Sequence, residues 1–334
     1  MLPPIDPVHC TGSAMTDTFR IATYNVENLF HRFSRAPAHQ DALHSPPTTA
    51  ALPRARRTDL AKRIHDSRAD VIGLQEVDSL DALAEFAQGS IGPGFDPATG
   101  VVSQPGNDTR GIDLGLLSTF PLGRVTSHRF NEFTTPAGRT TRFSRDCLQV
   151  EILTRDRSAV LLTAFICHFK SQHSPYDPIT QPDEHARDQA RSADTRQGEA
   201  QEVVRLIRDQ LTPGTDRFVV MGDLNDTPDS PALAPLCSTL NALGLINASS
   251  LLPHPDTSPK SAAPRPRDTH RCDQFDPVAG PPGARWAQTD HLLCSPALWA
   301  RSTGRVEVIN SPQDQGSRHY LTWAEFTLPG ISPT

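Results

Sequence analysis

Cysteine is sparse and never closely paired. Cys10, Cys147, Cys167, Cys237, Cys272 and Cys294 are scattered with no C-x-x-C spacing, which argues against a disulfide scaffold and against a cysteine-type zinc site. No apolar run approaches the roughly 18 residues of a membrane-crossing helix, so no integral membrane segment is expected. The first fourteen residues lack both a basic n-region and an apolar h-region; no secretory signal is expected, and cytoplasmic is the default location. Excess positive charge is missing as well. Lys and Arg total 32 against 38 Asp and Glu, a net charge of −6, which excludes a protein that coats nucleic acid through bulk charge but leaves room for a local phosphate site. Aromatic residues are only 6%, and no apolar loop suited to a bilayer surface stands out.

Glycine (20) is outnumbered by proline (31), so long loops are expected. The hydrophobic share of 37% in 334 residues is low, yet at this length it supplies a core. Residues 1–17 read as a disordered tail, with Met15 a candidate start just before the first strand-like segment. Residues 18–330 read as one α/β domain and a monomer, with long loops at 36–53 and 251–287, no internal repeat and no clean linker. Strands are expected at 19–26, 69–77, 112–118, 147–153, 160–167, 217–221, 292–294, 306–309 and 321–328. A basic helix candidate spans 54–68, and Ala200, Val203, Val204, Ile207 and Leu211 mark an amphipathic helix.

The apolar runs end in a consistent way. Asn25 and Glu27 close the first, Glu76 the next and His168 another, while Asp223 and Asn225 follow a fourth. Polar ends of apolar strands gather at one sheet edge, where α/β sites lie. One such end is more often a solubilising feature; recurrence in one chain is the signal. Oxygen ligands without cysteine suit a hard cation such as Mg²⁺, or Mn²⁺, and Glu27 and Glu76 are the candidate ligands. A cation held by two carboxylates leaves positions for a phosphate oxygen. Asp223 can take a proton from water and Asn225 can hold that water. His168 and His319 can donate to the anion or to the leaving oxygen. Arg110 and Arg145 can grip phosphate in bidentate fashion. Such a set hydrolyses phosphate esters.

The segments Tyr24-Asn25-Val26-Glu27-Asn28, Leu74-Gln75-Glu76-Val77, Cys167-His168-Phe169-Lys170-Ser171, Met221-Gly222-Asp223-Leu224-Asn225-Asp226 and Thr289-Asp290-His291-Leu292-Leu293 together resemble the endonuclease/exonuclease/phosphatase superfamily. They occur in its order and span 19–326. The resemblance implies a four-layer αββα sandwich of two central mixed β-sheets, with the site at their shared edge. It implies that Asn25 contacts phosphate or the metal shell and that Glu27 and Glu76 are the metal carboxylates. Asp223 and Asn225 would activate the water, Asp290 would hold His319 in the right tautomer, and His168 would be a second catalytic histidine. Asp113 is the expected orienter of His168, and Arg145 a phosphate contact.

One position departs from the pattern. The superfamily's last motif reads Ser-Asp-His, whereas this chain has Ser317-Arg318-His319. Arg318 puts a permanent positive charge where an acidic metal-shell residue is usual. Three outcomes follow: a weaker but active metal site, an arginine that contacts substrate phosphate, or a dead enzyme that keeps the fold. The leading function is a Mg²⁺-dependent phosphodiesterase, an endonuclease or exonuclease acting on DNA or RNA. The alternatives are a sphingomyelinase-like enzyme acting on phospholipid head groups and a non-catalytic binding module. Among the remaining polar residues, Lys170 reads equally as a phosphate contact or a surface lysine, and His291 as structural. Arg54, Arg56, Arg57, Lys62, Arg63 and Arg68 read more readily as a solvated helix face than as a nucleic-acid track. Cys147 and Cys167 read as small core residues.

Overall fold

The apolar runs and the segments between them fold into two packed sheets flanked by helices. The computed structural model describes residues 18–30, 54–252, 269–272, 285–309 and 316–327. The tail expected at 1–17, the loop at 36–53 and most of the loop at 251–287 lie outside the described residues. The chain begins with β1 (Thr18–Leu29), α1 (Arg54–Ser67), β2 (Val71–Val77), α2 (Leu80–Phe86), β3 (Val101–Gln104), β4 (Asp113–Ser118) and β5 (Leu122–Ser127). It continues with β6 (Phe133–Thr134), β7 (Thr140–Thr141), β8 (Cys147–Leu153), β9 (Val160–His168), α3 (Pro182–Gln210) and β10 (Phe218–Asp223). Then follow α4 (Ala234–Cys237), β11 (Ile246–Asn247), β12 (His270–Cys272), β13 (Arg285–Ala287), β14 (Asp290–Cys294), α5 (Pro296–Trp299), β15 (Ser302–Ile309) and β16 (Leu321–Thr327).

One six-stranded sheet has the order β15-β16-β1-β2-β4-β3 and the other β11-β14-β10-β9-β8-β5. Both are mixed, each with one parallel pair at its centre, β1 with β2 and β9 with β10. Central strands buried on two faces need apolar side chains on both, and this chain supplies three separate apolar clusters. Ile21, Leu116, Val150, Ile166, Val219 and Met221 belong to the cluster shared by the two sheets. Tyr24, Ile72 and Leu74 pack with Leu60 and Ile64 of α1 on the outer face of the first sheet. Phe165, Val220 and Leu293 pack with Val203 and Ile207 of α3 on the outer face of the second. These layers are the expected αββα sandwich.

Most strand expectations match to within a few residues. Differences lie where polar residues extend an apolar run: β9 reaches His168, β10 reaches Asp223 and β14 begins at Asp290. Strands β3 and β5, without a sustained apolar run, were not expected from the sequence. Helix α3 begins at Pro182, well before the apolar stripe that announced it, and buries the polar Ser192, Thr195, Arg196 and Glu199 ahead of that stripe. Among the described residues no helix is long and apolar enough to cross a membrane.

Candidate active site

Strand direction gathers the polar ends. Because β1 runs with β2 and β9 with β10, the residues that close each pair emerge together at one end of their sheet. Strands β14 and β16 run against β10 and β1, and so contribute residues at their starts. Asp290 lies opposite Asp223 in the ladder, and His319 stands two residues before β16. Gly222 lets the backbones of β9 and β10 close up, since a Cβ there would fall 1.9 Å from the Cys167 carbonyl oxygen, at φ +141°.

Both β1 and β2 bulge at the site, where their ladders shift register between Asn25 and Leu29 and between Gln75 and Val77. Glu27, Asn28 and Glu76 there have φ of 51°, 65° and 66°, and Asn225 after β10 has 55°. Such backbone at non-glycine residues costs about 1 kcal/mol or more each and collects at functional sites.

Asp223 is the hub. Its Oδ2 accepts from Asn25 Nδ2 at 3.1 Å and lies 3.6 Å from His168 Nε2 and 3.8 Å from His319 Nε2. Its Oδ1 accepts the Asn225 amide at 2.9 Å. Asn25 ties this hub to the acids, donating also to Glu76 Oε1 at 3.3 Å while its Oδ1 accepts the Glu27 amide at 2.9 Å. His319 Nδ1 lies 2.9 Å from Asp290 Oδ2, and Asn225 Nδ2 donates to the Phe169 carbonyl at 3.1 Å. Asn25, Glu27, Glu76, His168, Asp223, Asn225, Asp290 and His319 therefore form one connected group.

Burial separates the protonation of these residues. It pushes the Asp223 carboxyl up to about 7, against the pull of His319. Burial works to lower His319, but the Asp290 and Asp223 carboxylates outweigh it and raise the imidazole to about 10. His168 is held well below its usual value by burial, with the Arg145, His319 and Arg110 charges adding. At neutral pH the group holds one cationic and one neutral imidazole around a single carboxyl.

A second set of contacts fixes the segment that carries His319. Glu27 Oε1 accepts from Arg318 Nε at 2.6 Å, and its Oε2 accepts the Arg318 amide at 2.9 Å. Arg56 Nη2 lies 3.4 Å from Glu27 Oε2, and Arg56 also donates to the carbonyls of Glu27 and Gly316. Arg63, almost wholly buried, donates from one nitrogen to Tyr24 Oη and to the Ser317 and His319 carbonyls. The basic helix is thus neither a solvated face nor a nucleic-acid track at these positions: Arg56 and Arg63 turn inward because the 316–319 carbonyls need donors.

On the opposite rim Asp108 holds both expected phosphate arginines. It pairs with Arg110 Nη2 at 2.9 Å and with Arg145 Nε at 3.0 Å. Burial opposes its ionisation, but the two guanidiniums keep its carboxyl below the usual range. Arg110 is exposed, whereas Arg145 is buried and also donates to the Phe169 carbonyl at 2.9 Å. Buried Glu199 of α3 accepts the amides of Ser144 and Lys170 at 2.7 and 2.8 Å, pinning the loops on either side of Arg145 and His168. Asp113 does not orient His168. Its Oδ1 accepts the Gly106 amide at 2.7 Å, and the buried His168 Nδ1 has no hydrogen-bond partner among the described residues. Cys147 and Cys167 are free, buried core thiols, as expected.

Two groups of side chains invite a metal. Ligand-type atoms of Asp223, Asp290 and His319 lie within 4.8 Å of one another. That trio suits a cation poorly, because His319 Nδ1 engages Asp290 and the imidazole is kept cationic, whereas a ligating histidine is neutral. Glu76 and Glu27, bridged by Asn25, carry the oxygen donors that a hard divalent cation takes. Burial disfavours charge on Glu27, but Arg318 outweighs it and holds the carboxyl ionised, below its usual range.

The sequence matches the model of the Endonuclease/Exonuclease/phosphatase family over residues 22–319. The chain belongs to this family. Solved structures share its fold at low identity. The human Nocturnin catalytic domain, with a bound sulfate anion, is 14% identical with a TM-score of 0.52, covering 94% of this chain and 98% of that one. A Bacteroides thetaiotaomicron mannosyl-6-phosphatase is 14% identical with a TM-score of 0.52, covering 92% and 98%. The 3′ phosphatase NExo from Neisseria, bound to a product DNA hairpin, is 16% identical with a TM-score of 0.51, covering 92% and 99%. No curated protein matches the chain. Enzymes of the family hydrolyse phosphoester bonds, and this chain carries the family's fold and an acid–histidine cluster at its sheet edge.

Proposed function

We propose that this chain is a divalent-metal-dependent phosphodiesterase that cleaves nucleic acid, DNA or RNA, by in-line attack of an activated water. The observation that carries the reading is the position of Asp223, buried between His168 and His319–Asp290 and tied through Asn25 to Glu76. Neighbours such as NExo with its DNA product support a nucleic-acid substrate.

In this reading Glu76 and Glu27, with Asn25 beside them, would hold the cation, Mg²⁺ or Mn²⁺, which would supply Lewis-acid stabilisation of charge on the phosphoryl oxygens. Asp223 in its ionised form takes the proton of the attacking water. Asn225, whose Nδ2 is engaged by the Phe169 carbonyl, offers Oδ1 to align that water. The water oxygen bonds to phosphorus as the bond to the leaving oxygen breaks. His319, kept cationic by Asp290, gives its Nε2 proton to the leaving oxygen as that bond breaks, and neutral His168 donates a hydrogen bond to a phosphoryl oxygen. Arg110 and Lys170 line the rim for flanking phosphates, and Arg145 adds its buried charge behind them.

The test is a substrate panel. Purified protein is incubated with plasmid DNA, single-stranded RNA and phosphocholine-lipid vesicles, each with Mg²⁺, Mn²⁺ or EDTA. Metal-dependent nicking or shortening of nucleic acid is expected. Cleavage of the lipid alone would replace this reading with the sphingomyelinase-like one. No cleavage with any metal, with activity gained in Arg318→Asp, would make the natural chain a degenerate member of the family. We also expect Asp223→Asn to lower the rate at least about 10²-fold, the usual range for loss of a general base, with its melting temperature retained.

A further inference from the structure

Glu27 is already gripped by a cation of the chain itself. The Arg318 guanidinium lies along Oε1 through Nε and Nη2, its amide donates to Oε2, and Arg56 stands beside the same oxygen. Glu76 differs, for it accepts from the neutral Asn25 amide. Both Glu27 oxygens, the donors a divalent ion would need, are thus engaged by charge-assisted contacts. The guanidinium and the ion also repel each other at such a distance. The Arg318 side chain is 52% exposed and sits one residue from His319, so it can swing without unseating the core.

We propose that Arg318 competes with the divalent cation for Glu27, and that it transfers to a substrate phosphate oxygen when cation and substrate bind together. The proposal rests on the reading of Glu27 and Glu76 as the metal carboxylates. Charge accounting favours the exchange. Before binding, Glu27 is neutralised by Arg318. Afterwards the cation neutralises Glu27 and Arg318 neutralises the phosphodiester, so neither anion is left unpaired. The consequence is weak metal binding to the protein alone and stronger binding in the presence of a phosphate, with Arg318 tuning both.

Mn²⁺ titrations followed by electron paramagnetic resonance of the free ion test this on the full chain, with thermal melts to confirm folding. Removing an exposed forked arginine should tighten Mn²⁺ binding about five- to tenfold in Arg318→Ala. Arg318→Lys, which keeps the charge but loses the fork, should fall between Arg318→Ala and the natural chain. The gain should vanish in Arg318→Ala/Glu27→Gln. The KM for bis(p-nitrophenyl) phosphate should rise in Arg318→Ala, opposite in direction to the metal effect, which a merely structural defect would not produce. Mn²⁺ affinity in Arg318→Ala equal to or weaker than natural, with Glu76→Gln still abolishing binding, overturns the proposal alone. Mn²⁺ binding by none of the proteins overturns both the proposal and the metal reading beneath it.

Discussion

At the scale of single residues, the cluster is shaped by where charge is tolerated. Asp113 shows this outside the cluster itself. Burial pushes its carboxyl up to about 6, with the Gly106 amide opposing and the Asp78 and Asp108 charges adding. A folded-state value above the unfolded one means that the folded chain binds the extra proton between pH 4 and 6. Stability from this group is therefore present at low pH and is lost as pH rises through about 6, by about 1–2 kcal/mol once solvent screening is allowed for. Asp113→Asn, which still accepts from Gly106, should stabilise the protein by about that amount at pH 8 and by almost nothing at pH 4. Denaturant unfolding at the two pH values checks it; an equal effect at both would contradict the assignment. Asn25, Glu27, Glu76, His168, Asp223 and Asn225 were legible in the sequence because each closes an apolar run. Asp108, Glu199 and Arg63 were not, because their importance lies in partners 37, 55 and 254 residues away, and nothing local distinguishes them from surface charges. The assignment of Asp113 to His168 failed for a different reason: its partner is near in sequence, but motif spacing does not reveal that the Gly106 backbone amide claims the carboxylate.

Helix α1 and the strands β9 and β10 act as whole elements in holding the site. Arg63, one of the largest fully buried side chains, connects α1 to Tyr24 of β1 and to the segment before β16. Arg63→Met should leave the Ser317 and His319 carbonyls and Tyr24 Oη without that donor, destabilising the protein by about 3 kcal/mol. Chemical denaturation would measure the loss, and a change below about 0.5 kcal/mol would show that the clamp is dispensable. Gly222→Ala should be more severe, since the added methyl meets the Cys167 carbonyl across a pair of buried strands. We expect the variant to lose at least about 3 kcal/mol or to be recovered only as insoluble protein; soluble protein with an unchanged melting temperature would contradict the close approach of β9 and β10. The same elements show what periodicity can reveal. The apolar stripe of α3 was readable, but the stretch before it buries Arg196 and Glu199 to support the loops near the site. A helix whose inward face is polar leaves no hydrophobic stripe to find.

Across the whole molecule, two sheets meet through one apolar cluster and present their polar strand ends together, on a chain whose net charge is −6. For the nucleic-acid substrate proposed above, an acidic protein needs its cations local, and the site's cations are so placed: Arg110 and Arg145 on Asp108, Arg318 and Arg56 on Glu27, His319 on Asp290. Association should accordingly fall with salt less steeply than for a basic protein that makes many phosphate contacts. In the proposed function this group, centred on Asp223 and His319, turns over phosphodiesters with a divalent ion. The deciding experiment is the rate of bis(p-nitrophenyl) phosphate hydrolysis with saturating Mn²⁺, with EDTA, and with Mn²⁺ in folded His319→Ala. Turnover by the natural chain is expected with Mn²⁺ and none with EDTA, with a loss of at least about 10²-fold in the variant. Hydrolysis that survives EDTA, or that proceeds at the natural rate without the His319 imidazole, would contradict it.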